Sequence, residues 1–284
     1  MNEPQGNPRP PSVPSIATSA PSDPIERSAP ATHDSPSPAD PQRHGSPAPP
    51  VSPTGLLIID KQPGFTSMDV CAIIRARLRR AGAPKGVKVG HGGTLDPLAT
   101  GVLVVLIGKA TRLCDQVMAT RKTYATTIDL SRLSTTDDEA GVCTPIDPTL
   151  RVSREDIERV LPQFIGTIDQ RPPAYSAINV GGRRSYELAR EGTPIELAPR
   201  KVEIHVIRVE TFDWPKLSIV VECGKGVYIR SLARDLGAAL GVGGMLTSLR
   251  RTASGVFSIG RAVTLDQLPD RLTQAELLPI PATP

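Results

Sequence analysis

The four cysteines, Cys71, Cys114, Cys143 and Cys223, lie far apart, and no pair shows Cys-x-x-Cys spacing. With no secretory leader pattern ahead of them, this excludes a disulfide framework and a cysteine metal site, and predicts reduced thiols in a cytoplasmic protein. Long apolar runs are also missing. The longest, Val102 to Ile107, is far shorter than the ~20 residues that cross a bilayer, so a soluble chain without a membrane partner is expected. The amino terminus lacks the arginine excess of a transit peptide, carrying Glu3, Asp23, Glu26, Asp34 and Asp40 against Arg9, Arg27 and Arg43. Residues 1–53 have almost no large apolar side chains, yet they hold half of the chain's 30 prolines. Such a stretch cannot bury enough surface to offset its ordering entropy, and a disordered Pro/Ser/Ala-rich extension is expected there. The remainder carries 30 basic and 24 acidic residues. That balance is compatible with a polyanionic partner without establishing one.

What is present from residue 54 onward reads as a folded domain. Gly55 to Asp60 is a short apolar run suited to a buried strand, followed by an Asp-Lys-Gln-Pro-Gly turn. Ser67 is placed to cap a helix with apolar positions Val70, Ile73, Ile74 and Leu78, leaving Arg75, Arg77, Arg79 and Arg80 toward its flanks or outer face. Strands are predicted over 102–107, 122–130, 202–212 and 217–222, and helices from Ser153, with Asp156 in capping-box position, and over 231–240. Strands and helices do not alternate strictly and no internal repeat is visible. An α+β fold around a mixed, mainly antiparallel sheet with flanking helices is therefore expected.

The chemistry concentrates in Gly90-His91-Gly92-Gly93-Thr94-Leu95-Asp96-Pro97-Leu98-Ala99-Thr100-Gly101-Val102. One acid, Asp96, stands in an apolar segment framed by glycines, and the proline after it biases it toward an extended conformation. The arrangement suits a presented carboxylate, although Asp-Pro is also an ordinary turn dipeptide. Three segments could join it. Arg121-Lys122-Thr123-Tyr124 sets a phenol beside two cations. In Gly226-Val227-Tyr228-Ile229-Arg230-Ser231, extended spacing would put Tyr228 and Arg230 on one side, with the arginine placed for an ion pair. The stretch from Arg171-Pro172-Pro173-Ala174-Tyr175-Ser176 through Arg183, Arg184, Tyr186 and Arg190 interleaves basic, aromatic and flexible residues as an RNA-gripping loop would.

Taken together, the Gly90–Val102 run, Arg171–Ala177, Gly226–Leu232 and Leu249-Arg250-Arg251 resemble, in order, four signatures of the TruB type of tRNA pseudouridine synthase. The resemblance covers about 200 residues and implies a pseudouridine synthase catalytic domain over 54–256, an RNA-clamping insertion near 169–200 and a short carboxy-terminal extension over 257–284. It implies isomerisation of uridine to pseudouridine in the TΨC arm of tRNA, at position 55, by an enzyme that needs no cofactor or metal and acts as a monomer without an obligate protein partner. Asp96 is then the nucleophilic carboxylate, Arg230 the arginine that pairs with it, and Tyr124 the residue that stacks on the flipped uracil and takes the C5 proton. His91 matches the residue that fills the vacated space in the RNA stack. Lys61, Thr94, Tyr228 and Leu249 match positions in or near the pocket, and Arg183 and Arg184 belong to the clamp. Gln62 departs from the Lys-Pro pair usual in the family, which bears on the placement of Lys61. Only 28 residues follow Val256, too few for a further independent module, and Thr264–Leu268 and Thr273–Leu278 are expected to form short helical pieces on the catalytic domain. Two other readings stand beside this one. A non-catalytic RNA-binding or tRNA-folding protein would have no need of Asp96, and a hydrolase using Asp96 and His91 would need a second carboxylate or a metal set, neither evident at suitable spacing.

Overall fold

A computed structural model describes residues 52–176, 178–192 and 197–280; the expected disordered extension lies, up to residue 51, outside the described residues. Pro53 is buried, so the folded part begins slightly before residue 54. The strands are β1 (Gly55–Lys61), β2 (Val89–His91), β3 (Thr100–Ile107), β4 (Lys122–Asp129), β5 (Arg132–Ser134), β6 (Cys143–Pro145), β7 (Gly166–Gln170), β8 (Asn179–Val180), β9 (Arg183–Arg184), β10 (Arg200–Asp213), β11 (Lys216–Cys223), β12 (Met245–Ser254) and β13 (Phe257–Ser258). The helices are α1 (Ser67–Arg80), α2 (Cys114–Ala119), α3 (Arg154–Val160), α4 (Ser185–Arg190) and α5 (Ile229–Leu240).

The main sheet runs in the order β1-β3-β12-β4-β11-β10-β7, with β2 added to β3 and β13 to β12. Every pairing in it is antiparallel except β12 with β3, which run parallel. The α+β expectation with a mainly antiparallel sheet is borne out. β1 and β3 read as unbroken apolar runs because both faces are covered: Leu57, Ile59, Leu103 and Val105 join α1 and α5 in the main core, while Leu56, Ile58, Val102 and Val104 pack with Val117 of α2 on the other side.

Local sequence accounts for most boundaries. Thr66, not Ser67, is the N-cap of α1, closing a capping box with Asp69. Ser67 is one residue inside the helix, and its hydroxyl turns to the chemistry-bearing loop instead, accepting from Leu95 N at 2.8 Å. Arg75 and Arg77 are half-buried rather than free on the outer face: Arg75 donates to Val89 O, and Arg77 to Leu265 O and Leu268 O. Helix α3 carries the expected Ser153–Asp156 capping box. It gives way to a 3-10 turn at Leu161, because the next residue is a proline. The carboxy-terminal pieces are 3-10 turns, Leu265–Gln267 and Gln274–Glu276, anchored on the main core by Leu272 and Leu277.

The Asp96 loop as the candidate active site

The loop between β2 and β3 crosses the end of the sheet, and three elements fix its path. Gly101 has φ +97°, and a Cβ there would collide with the backbone of Arg251, to which it is paired in the parallel β3–β12 contact. Only glycine meets both demands. Gly92 likewise lies against Val117 of α2, where a Cβ would strike the valine side chain. Ser67 holds Leu95 from the helix side.

Between these anchors Asp96 projects from the loop with its side chain 33% exposed, and its Oδ2 lies 2.9 Å from Nη2 of Arg230, which is 5% exposed. Arg230 belongs to the first turn of α5, which begins two residues earlier than its sequence pattern indicates. The alternation expected of Tyr228 and Arg230 therefore does not apply. The guanidinium also donates to Thr136 O at 3.1 Å and Tyr175 O at 2.9 Å, and its Nη1 stands 3.4 Å from Oδ2 of Asp138. Asp138 is the second carboxylate that the sequence reading did not find. It is buried, accepting hydrogen bonds from Thr136 Oγ1 and Ala140 N. Its neighbour Asp137, at φ +62°, pairs with Arg234 at 2.8 Å, and burial pushes the Asp137 carboxyl above its ordinary value against the pull of Arg234 and Arg230. The acidic Asp137-Asp138-Glu139 cluster between β5 and β6 was the available signal, but acids in a polar turn read as solvated. Both carboxylates pair with Arg230, but Asp138 is buried beneath it, whereas Asp96 is one-third exposed.

Of the other expected residues, Lys61, His91, Thr94, Tyr124 and Leu249 lie in or beside the same loop, Tyr228 leads into the helix that carries Arg230, and two stand apart. Lys61, at the end of β1, is buried and donates from Nζ to Phe65 O (2.8 Å), Gln62 O (3.0 Å) and Pro97 O (3.3 Å), so it supports the loop from below despite the intervening Gln62. Burial lowers its pKa to about 8, against the pull of Asp96. Tyr124 is half-buried on β4, opposite Arg251. Burial raises its phenol above the ordinary value, and the Arg251 charge is the first influence opposing that rise. His91 ends β2 with Nδ1 buried and unpartnered; burial, then the Arg251 charge, lowers its pKa and favours the neutral imidazole. Thr94 has an exposed side chain, and its carbonyl accepts from Arg251. Leu249 is buried on β12. Tyr228 is the N-cap residue of α5, its backbone exchanging two hydrogen bonds with the Gln170 side chain and its ring lying 5.1 Å from the Arg200 guanidinium. The exceptions are in the basic segment: Arg183 forms a two-pronged exposed pair with Glu191, and the side chain of Arg184 lies outside the described residues. No cluster of three or more potential metal-ligating side chains occurs among the described residues, and no described helix is long and apolar enough to cross a membrane.

Comparison with known proteins gives the geometry a family. A model described as TruB family pseudouridylate synthase (N terminal domain) matches residues 79–229, and one described as tRNA pseudouridylate synthase B C-terminal domain matches residues 230–278. The chain is 46% identical over 226 residues to tRNA pseudouridine synthase B of Synechococcus elongatus, covering 78% of this chain and 74% of that protein. It is 46% identical over 220 residues to the like-named protein of a Mycobacterium species, covering 76% and 72%. Among solved structures, a chain of a Cbf5-Nop10-Gar1 complex superposes with a TM-score of 0.58 at 32% identity, and the match spans 75% of this chain but about half, 53%, of that one. The chain belongs to the TruB family of pseudouridylate synthases.

Proposed function

We propose that the protein isomerises uridine to pseudouridine in the T arm of tRNA, at position 55. The observation that carries this reading is the presentation of one carboxylate, Asp96, by an immobilised loop, ion-paired at 2.9 Å with a buried arginine and left one-third exposed. Family membership and the names of the relatives support the reaction and the tRNA substrate.

In this reading the target nucleotide leaves its stack to reach Asp96, and His91, held neutral, occupies the space it vacates. The N1–C1′ glycosidic bond breaks with Asp96 as nucleophile, the uracil turns within the pocket, and a C5–C1′ bond forms. The C5 proton passes to Tyr124 and N1 takes up a proton, so the product is an isomer of the substrate and no external donor or oxidant enters. Arg230, pinned by Asp138, Thr136 O and Tyr175 O, holds the carboxylate in one position throughout. The basic residues of 169–200, Arg183 and Arg184 among them, supply backbone affinity rather than base reading.

The test is nucleotide-resolved pseudouridine mapping on an unmodified tRNA transcript with the wild-type chain and Asp96→Asn in parallel. Product at one T-arm uridine with wild type alone, and tRNA affinity retained in the variant, is the expected result. Tight tRNA binding without product from wild type would instead favour a protein that only binds or refolds tRNA.

A further inference from the structure

Besides Arg230, three cations are buried around the Asp96 loop, Lys61, Lys122 and Arg251, and among the described residues none of these three has a carboxylate within ion-pair distance. Lys61 and Lys122 sit at strand ends where carbonyls converge: Lys122 Nζ donates to Val117 O, Met118 O and Thr120 O at the end of α2. Arg251 is different. It is 2% exposed, lies on the interior strand β12, and directs two donors into the loop and a third onto the strand that follows it. Nε donates to Val102 O at 2.7 Å, Nη2 to Gly93 O at 3.0 Å and Nη1 to Thr94 O at 3.3 Å. Gly93 and Thr94 precede Asp96 and Val102 follows it, so one planar guanidinium closes both ends of the loop that carries the carboxylate. A lysine could not span the same acceptors, because the fixed fork is what matches them.

The strand register adds a second relation. Arg251 is opposite Gly101 on β3 and opposite Tyr124 on β4, so the three residues form one row across adjacent strands. Directly opposed strand residues have Cβ atoms only ~5 Å apart and share a face. The influence of the Arg251 charge on Tyr124, His91, Lys61 and Lys122 follows from this central place. Burying a guanidinium with no carboxylate to neutralise it is costly, and here the three carbonyl hydrogen bonds offset that cost while leaving the positive charge unneutralised.

We propose that Arg251 is a positioning residue of the reaction: it clamps the two ends of the Asp96 loop and presents its positive charge to the Tyr124 hydroxyl, favouring the phenolate that takes the C5 proton. The inference rests on the proposed function. In the step concerned, the Tyr124 phenol gives its own proton to N1 of the reattached base, the C5–H bond breaks, its electron pair restores the ring's double bond, and the C5 proton passes to the Tyr124 oxygen. The charged or titratable groups facing Tyr124 are Arg251 from β12, Cys223 from β11 and Asp96 from the loop. Cys223 is a neutral thiol, pushed up to about 12 by burial. Arg251 is therefore the cation available to offset a negative charge on the phenol.

The test uses the full chain with Arg251→Gln and Arg251→Lys, and tRNA transcripts carrying hydrogen or deuterium at uridine C5, in single-turnover reactions with enzyme in excess. Arg251→Gln is expected to slow product formation by about 100-fold, within the range of one proton-transfer contribution, with tRNA affinity changed by less than about threefold. It should also raise the C5 deuterium isotope effect above that of wild type, because proton removal becomes the slow step. Arg251→Lys keeps the charge but not the fork, so it should lose rate with a smaller rise in the isotope effect; it also serves where Arg251→Gln fails to fold. A rate close to wild type in either folded variant overturns the proposal, as does a large loss of rate with an unchanged isotope effect, the signature of a merely structural arginine. If the wild-type chain forms no pseudouridine, it is the proposed function that fails.

Discussion

The Asp96 loop and the basic segment around residues 169–200 both concentrate positive charge, but they hold it in opposite ways. Beneath the loop, Lys61, Lys122, Arg230 and Arg251 are all buried, and their donors go to backbone carbonyls or to the carboxylates of the site. In and beside the basic segment two ion pairs lie exposed on the surface, Arg183 with Glu191 and Lys201 with Asp169. A buried cation has one geometry and a high cost of leaving it, which suits a catalytic constellation. An exposed pair costs little to exchange for an RNA phosphate, which suits affinity. Charge count therefore says less about a residue's work than the partner it has before RNA arrives.

The comparison is broken most severely at Arg230. Arg230→Ala leaves Asp138 buried without its cation and Asp96 without its partner, and removing one member of a buried pair typically costs about 3–5 kcal/mol. Thermal unfolding should show a drop of that size, and single-turnover assays no measurable product. A far smaller effect is expected on the other side. Arg183→Ala should weaken tRNA binding by about three- to tenfold and reduce the magnitude of the salt slope of log Kd by about one, with the unfolding midpoint unchanged. A loss of stability comparable to that of Arg230→Ala would remove the distinction between the two regions. The smallest effect separates burial from exposure at a single imidazole. The folded-state pKa of His91 is depressed by burial, so as pH falls below the ordinary imidazole value of 6.5 the unfolded chain binds a proton that the folded chain resists, and stability declines with acid. Denaturant titrations across that window should show a shallower decline for His91→Gln, and proton NMR should find the His91 ring titrating below 6.5.

The uneven treatment of charge also explains what could be read from the sequence. β1, β3 and α1 were legible because burial on one or both faces leaves an apolar run or a helical stripe. β12, at the centre of the sheet, was not recognised as a strand, because Met-Leu-Thr-Ser-Leu-Arg-Arg-Thr-Ala-Ser shows no apolar alternation. Its middle is occupied by arginines whose partners, Asp60 for Arg250 and the loop carbonyls for Arg251, come from residues about 150 or more positions away. Local pattern cannot report such partners. The same limit applied to Asp138, and to Ser67, whose hydroxyl does not cap its own helix but holds Leu95. Asp96, Arg230 and Tyr124 were singled out because they lie in long contiguous motifs, although the ion pair between the first two required the fold to bring residues 96 and 230 together.

The parallel contact between β3 and β12 is only two residues long, Arg250 with Thr100 and Arg251 with Gly101, but it joins segments separated by 150 positions. Local contacts form cheaply and early, whereas such distant pairings form late. On the ribosome, β1, β2, β3 and β4 all emerge before β12 exists, and β3 and β4 have no direct pairing to substitute for it. A half-made chain thus carries the Asp96 sequence but no closed loop around it. The order of synthesis defers the reactive arrangement until β12 has emerged, so a nascent fragment that stops before it carries the carboxylate without the geometry that positions it.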